Sequence, residues 1–370
     1  MVACGLMVNT LRRHRWLVLA VIALAATAAV AYSGAPPVAA QDAGRPAGAR
    51  YTGKAFTFNE VAPGVYHAVG TGALSVGCNA SIVVNADDVL VVDTHMTPGG
   101  AWALREELKA LTPKPVRYVI NTHWHFDHAH GNQIYGAGVE IVGHEYTRAR
   151  LAAGDSKRGR SYDMFIGGVP TQVAQLKDRI AKASDAAERG KLETQLAVLE
   201  NHFAGTQIVT PAPPTVTLTD HLTLFRGGRE IRLLYLGRGH TGGDVVVFLP
   251  KERAVITGDL LVEGTSYLGD AFLADWPQTL ERLRALDFDV TLPGHGTAFK
   301  GKAKIDHFQA YLRDFWTQAQ ALHKAGVGAE DAAKRIDLRT HVANYPALTA
   351  TGVLWHGVAR AYEELEGTAR

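Results

Sequence analysis

The stretch Asn121 to His130, NTHWHFDHAH, crowds four histidines and an aspartate into ten positions, and it limits what this chain can fold into. In an extended segment the side chains alternate faces, so His123, His125 and Asp127 point one way and His128 follows from the turn just beyond. Imidazole nitrogen and carboxylate oxygen are donors that a borderline cation such as zinc accepts at about 2.0 to 2.2 Å, provided several converge on one point. A chance His-X-His-X-Asp-His has a probability on the order of 10⁻³ in a chain of this length, so unrelated surface histidines are a poor explanation.

One loop cannot close such a site, and further donors stand at the ends of strand-like runs. His240 follows IRLLYLGRG at a glycine-flanked turn, Asp259 ends RAVITGD, and His295 ends DVTLPGH. Each alone is an ordinary turn residue; in series, all at strand ends, they are not ordinary. The surrounding chain is suited to a large mixed core. It has 370 residues, 47% hydrophobic and 20% charged, with net charge +2, and its basic residues are scattered without aromatic interleaving. That excludes a nucleic-acid binder and leaves a small-molecule substrate as the expected partner.

Arg12, Arg13 and Arg15 precede an apolar run from Trp16 to about Tyr32, and Val38-Ala39-Ala40 follows. This is the pattern of a secretory signal over residues 1–40, with cleavage after Ala31 or Ala40. An uncleaved anchor is the alternative that the length of the run permits. With cleavage the expectation is a periplasmic or secreted protein with no membrane contact. Cys4 would leave with the signal, and Cys78 alone would remain, so no internal disulfide is expected. Cys78 itself reads as a buried small hydrophobe. Residues 41–55 are expected to be a flexible lead-in, and the fold begins near Phe56.

From there strands alternate with turns, including one at Asn85 to Asp88. Ala101, Leu104, Leu108 and Leu111 fall at helical spacing ahead of Pro113 and Pro115, and VRYVIN delivers the chain to Thr122 as a strand. The order predicts a mixed α/β domain. Between about 155 and 205 lies an insertion with Val173, Leu176 and Ile180, then Leu192, Leu196, Leu199 and Phe203, as an apolar stripe. It predicts two helices broken near Arg189-Gly190. Either they cover the site, with Tyr162 and Phe165 touching substrate, or they pack against the body or a second copy. Residues 301–370 are helical by period and close the fold. His307, His341 and His356 are assigned structural places, His130 a solvated one at a helix start or else a place lining the pocket, and Tyr267 a position reaching the pocket.

Asp93 in VVDT, the His123-X-His125-X-Asp127-His128 signature, His240 in GHTGGD, Asp259 in TGD and His295 in PGHG occur in an order that resembles the metallo-β-lactamase superfamily. The resemblance runs from about Phe56 to Phe299. It implies a four-layer αββα sandwich over 56–300 with a dinuclear site in the loops along one edge. By that resemblance His123, His125 and His240 hold one metal, Asp127, His128 and His295 hold the other, and Asp259 bridges them. Asp93 supports the histidine loop through hydrogen bonds.

Five imidazoles and two carboxylates without a thiolate suit two Zn²⁺ ions and do not exclude Fe or Mn. A water held between two such cations has its pKa lowered from 15.7 towards 7, so the expected nucleophile is a bridging hydroxide, with Asp127 as the catalytic residue that orients it or carries its proton. No Gly-X-Ser-X-Gly elbow competes. The resemblance is greatest to exported glyoxylase-like zinc hydrolases, and the expected reaction is cleavage of an ester, thioester, lactone or amide-type bond. A β-lactam-hydrolysing enzyme is one alternative, although DLLVEGTSY offers no Lys or Ser for a β-lactam carboxylate. A mononuclear iron oxidoreductase similar to the persulfide dioxygenases is the other.

Overall fold

A computed structural model describes residues 44–369 of the chain; the expected signal, residues 1–40, lies outside the described residues. No helix among the described residues is long and apolar enough to cross a membrane. The first sheet contains β1 (Phe56–Ala62), β2 (Val65–Gly70), β3 (Ala80–Val84), β4 (Val89–Val92), β5 (Val116–Ile120), β6 (Glu140–His144) and β7 (Val216–Leu218) in chain order. The second contains β8 (His221–Arg226), β9 (Arg229–Tyr235), β10 (Val245–Leu249), β11 (Ala254–Gly258), β12 (Val290–Pro293) and β13 (Phe299–Lys300), also in chain order across the sheet. Pairing is antiparallel up to β4 and parallel from β4 to β7; in the second sheet only β11 and β12 are parallel.

The fully apolar strands are divided between two cores by their period of two. In β4, Leu90 and Val92 join Ile120, Leu233, Val247 and Leu292 in a core between the sheets. Val89 and Val91 point the other way, onto Leu104 and Leu108 of the helix Pro98–Leu111. In β10, Val245, Val247 and Leu249 face the first sheet while Val246 and Phe248 face Trp276, Phe308, Leu312 and Phe315 on the outer helices. The result is helix, sheet, sheet, helix, which is the αββα architecture. The helices Ala303–Lys324 and Trp355–Leu365 supply Phe308, Phe315, Val358 and Tyr362 to the outer core of the second sheet.

Three local expectations are corrected. Residues 44–55 are not a loose lead-in: Ala49 and Ala55 are fully buried, and Asn201 donates to the Gly48 carbonyl at 2.9 Å. Gly48 lies so close to Gly205 that a Cβ on it would sit 2.6 Å from the Gly205 Cα. Small residues dock here without any apolar period to announce it. The insertion does form two helices packed on each other, Val169–Lys182 and Ala186–Gln207, but they break at Ala183–Asp185, not at Arg189-Gly190. Asp185 accepts from the Glu188 N–H at 2.6 Å as an N-cap, whereas Gly190 is exposed within the second helix, where glycine costs only about 1 kcal/mol. His130 is buried rather than solvated, with its Nε2 3.0 Å from Ser156 Oγ.

Candidate metal centre

The seven candidate donors reach one place because the strands that carry them end on the same edge. β5 runs into the loop of His123, His125, Asp127 and His128, which turns at once into the short helix Phe126–Ala129. β9 and β10 are joined through His240, β11 ends immediately before Asp259, and β12 ends two residues before His295. Two glycines make room for this convergence. Gly258 has φ +52 and a Cβ on it would lie 2.4 Å from Thr122 Oγ1. A Cβ on Gly294 would lie 2.2 Å from Asp259 Oδ1.

Three groups of donors lie within 4.8 Å: His123, His125 and His240; His123, His128 and Asp259; Asp127, His128 and His295. His240 Nε2 is 3.0 Å from His125 Nδ1. Asp259 Oδ1 is 3.4 Å from His128 Nε2, and its Oδ2 is 3.2 Å from His295 Nε2 and 3.6 Å from His240 Nε2. Asp127 Oδ2 is 3.2 Å from His295 Nε2. Asp259 therefore faces both halves of the cluster. His123 Nε2, His128 Nε2 and Asp259 Oδ1 are buried with no hydrogen-bond partner among the described residues. Burying unpaired lone pairs is unfavourable, and a cation is the partner that this set of nitrogens and oxygens fits.

The supports lie one layer out. Asp93, at φ +64, accepts from the Thr122 N–H and from Thr122 Oγ1, both at 2.8 Å, and its Oδ2 is 2.8 Å from His128 Nδ1, leaving His128 Nε2 for the centre. His125 Nε2 is 3.1 Å from Asp270 Oδ2, which turns His125 Nδ1 inward. Asp244 accepts from the Thr241 N–H and hydroxyl and so closes the turn that presents His240. Asp244 stands in the quoted GHTGGD motif but was not singled out, and Asp270 lies just past the quoted DLLVEGTSY. A T-X-X-D turn could have signalled Asp244; Asp270 gives no local sign of its partner 145 residues away.

The two halves differ in charge. Burial holds His123 well below the ordinary imidazole range, and burial beside His125 brings His240 down to about 3, so both offer free lone pairs. Burial also opposes charge on His128, but the carboxylates of Asp127, Asp259 and Asp93 outweigh it and hold that imidazole well above its usual value. In half-exposed His295, burial is likewise overcome by Asp259 and by the hydrogen bond to Asp127, and the value rises to about 10. These are raised values, so the stabilising pairing is complete below the ordinary value near 6.5 and is lost as pH climbs through about 10. A cation must displace those protons. Zinc uptake at pH 7.5 is therefore expected to release protons, seen as a binding enthalpy that changes with buffer ionisation enthalpy, and apparent affinity should rise up to tenfold per pH unit per displaced proton. A buffer-independent enthalpy would contradict this charge state. Cys78 lies beneath the cluster, and burial pushes its thiol up to about 12.

Above the donors lies a chamber of about 440 Å³. His125, Asp127, His240, Asp259 and His295 form its polar side; Phe165, Ile166, Val169, Gln172, Leu199 and His202 of the insertion wall it. Phe165 is half exposed and packs on Phe126 and Tyr267, with ring centroids 6.0 and 6.1 Å away. Tyr162 does not line the chamber; it stands behind Phe126 and beside His130. Tyr267 lines it with its ring, while its hydroxyl abuts Gly269, where a Cβ would lie 2.1 Å from the oxygen. His202 was not foreseen. It is buried on the second hairpin helix with Nδ1 unpartnered among the described residues, and only the folded insertion brings it here.

Fold and donor cluster define an αββα sandwich built to hold metal at its strand ends. The chain belongs to the metallo-beta-lactamase superfamily, whose profile matches residues 75–295. It is similar to a linear primary-alkylsulfatase of Pseudomonas sp. (strain ATCC 19151), 22% identical over 75% of this chain and 53% of that protein. It is also similar to the alpha subunit of a 2,4-dinitroanisole O-demethylase of Nocardioides sp. (strain JS1661), 26% identical over 56% of this chain and 49% of that one. A type 2 metallo-beta-lactamase of Bacteroides fragilis is 30% identical over 28% of this chain and 43% of that protein. The chain thus spans about half the length, or less, of these relatives. A metallo-beta-lactamase from Pontibacter korlensis shares the fold with a TM-score of 0.50 at 21% identity, over 70% of this chain and 99% of that one.

Proposed function

We propose that this protein is an exported hydrolase that holds two zinc ions and cleaves an ester-type bond, whether ester, thioester or lactone, in a small molecule. The observation that carries the proposal is the placement of Asp259, whose oxygens lie 3.4 Å from His128 and 3.6 Å from His240, so that one carboxylate serves both donor groups. That arrangement favours two cations over a mononuclear iron site. When bound, such cations supply an acidified water and a Lewis acid for the substrate oxygen.

The chain's own groups do the rest. His123 and His240 offer neutral nitrogens on one side, where His125 joins them, and Asp127, His128 and His295 hold the other. Asp127 is kept anionic, since His128 and His295 overcome the effect of its burial, and it borders the chamber where it can orient a water and accept its proton. Phe165, Ile166 and Val169 give the chamber an apolar wall. Among the described residues no Lys or Arg lines the chamber, which counts against a substrate gripped by its carboxylate, the β-lactams included.

The test is metal analysis of protein purified from the periplasm, with a panel of p-nitrophenyl acetate, a γ-lactone, nitrocefin and an alkyl sulfate. The expected result is two zinc ions per chain and ester turnover that a chelator removes and zinc restores. One iron per chain with oxygen uptake on a persulfide would replace this reading.

A further inference from the structure

The chamber has an apolar neighbour. A groove of about 360 Å³ runs along the insertion hairpin, lined by Leu176 of its first helix, by Thr194, Gln195, Val198 and Leu199 of its second, and by Gly72 and Ser75 of the β2–β3 loop. Ser75 and Leu199 line the chamber as well, so the two spaces share a wall made of two side chains. Among the described residues no charged side chain lines the groove.

The hairpin's charges are turned to solvent and paired there: Lys177 with Glu200 at 2.7 Å, Lys182 with Asp178 at 2.6 Å. Its apolar stripe is only partly used. Leu176, Val198 and Leu199 are half-buried, unlike the fully buried residues of the sandwich. A hairpin that merely covered the body would bury this stripe against it. Here the stripe borders an open groove that adjoins the metal-centre chamber at Ser75 and Leu199, and the groove offers a ligand hydrophobic contact without a charge partner.

We propose that the hairpin is the binding element for a substrate tail. The enzyme acts on esters carrying a linear aliphatic chain, with the ester at the metal centre and the chain crossing over Ser75 and Leu199 to lie on Leu176 and Val198. This rests on the hydrolase reading and adds the substrate class. Transfer of a methylene from water to an apolar surface is worth about fourfold in binding, so kcat/KM is expected to rise steeply with chain length until the groove is filled.

The zinc-loaded full chain is assayed with p-nitrophenyl acetate, butyrate, octanoate and decanoate below their micellar concentrations, and with decyl sulfate. The expected result is a rise of at least about 100-fold from acetate to decanoate, carried mainly by KM. Decyl sulfate against decanoate separates a sulfate ester from a carboxylic ester as the head group. In Leu176→Gln and Val198→Asn the decanoate-to-acetate ratio should fall tenfold or more whatever the acetate rate does, with zinc content and the melting curve reporting an intact fold. Titration calorimetry with 1-decanol reads the groove without turnover, and binding weakened in both variants is expected. A flat chain-length profile in a protein that hydrolyses acetate overturns the tail site and leaves the hydrolase intact. Decanol binding without turnover of any ester, sulfate included, overturns the hydrolase and leaves the groove. Variants that change the oligomeric state and not the profile make the groove a seat for a second copy and overturn the proposal.

Discussion

Asp259→Ala is expected to lose turnover of every substrate by more than about 100-fold, beyond the upper end of what an outer partner of a metal ligand contributes, while the sandwich stays folded. Asp259 stands just past β11, almost buried, and is the carboxylate that approaches His128, His240 and His295 together. Its neighbours on the strand side, Val255 and Ile256, belong to the hydrophobic cores and do not depend on it. The expected signature is a protein with a wild-type circular dichroism spectrum that retains fewer than two equivalents of zinc after dialysis. A variant that keeps two equivalents and hydrolyses within threefold of wild type would remove Asp259 from its place between the two groups.

How far this centre could be read from the sequence depended on range. The loop of His123 to His128 was legible because its donors are neighbours in the chain, and His240, Asp259 and His295 because each closes an apolar run. Strands were legible from runs such as VLVV and VVVFL, whose all-apolar character is what a strand covered on both faces requires, while their division into two sheets came from the family resemblance. What escaped depends on contacts that local pattern does not encode. Asp270 meets His125 from 145 residues away. His202 lies on a helix whose apolar stripe indicates a covered face without saying what covers it. His130 looked solvated because a polar ring at a helix start usually is, yet Ser156 closes over it. The hairpin break was placed on Gly190, though the cap at Asp185 overrides an exposed glycine; the packing of residues 44–55 rests on Gly and Ala, which carry no periodic signal.

Asp93 has the second large expected effect, and it separates holding a ligand from being one. Its backbone at φ +64 is one that a residue with a side chain adopts at a cost of roughly 1–3 kcal/mol, and here three hydrogen bonds at 2.8 Å offset it. Burial pushes its carboxyl up and His128 opposes that push, so the two form one buried pair across the sheet edge. Asp93→Ala removes one partner and leaves the Thr122 N–H and the His128 ring without an acceptor. The expected loss is about 3–5 kcal/mol of metal-free stability in urea melts. Asp93→Asn keeps an acceptor for Thr122 but also puts an amide donor into the site, against His128 Nδ1 or the Thr122 hydroxyl, so the imidazole is no longer fixed with Nε2 towards the metal. That variant should lose less stability yet bind zinc about 10- to 100-fold more weakly in a chelator competition. If Asp93→Asn bound zinc as tightly as the parent while Asp93→Ala unfolded, Asp93 would serve the fold alone and the orientation of His128 would have another source.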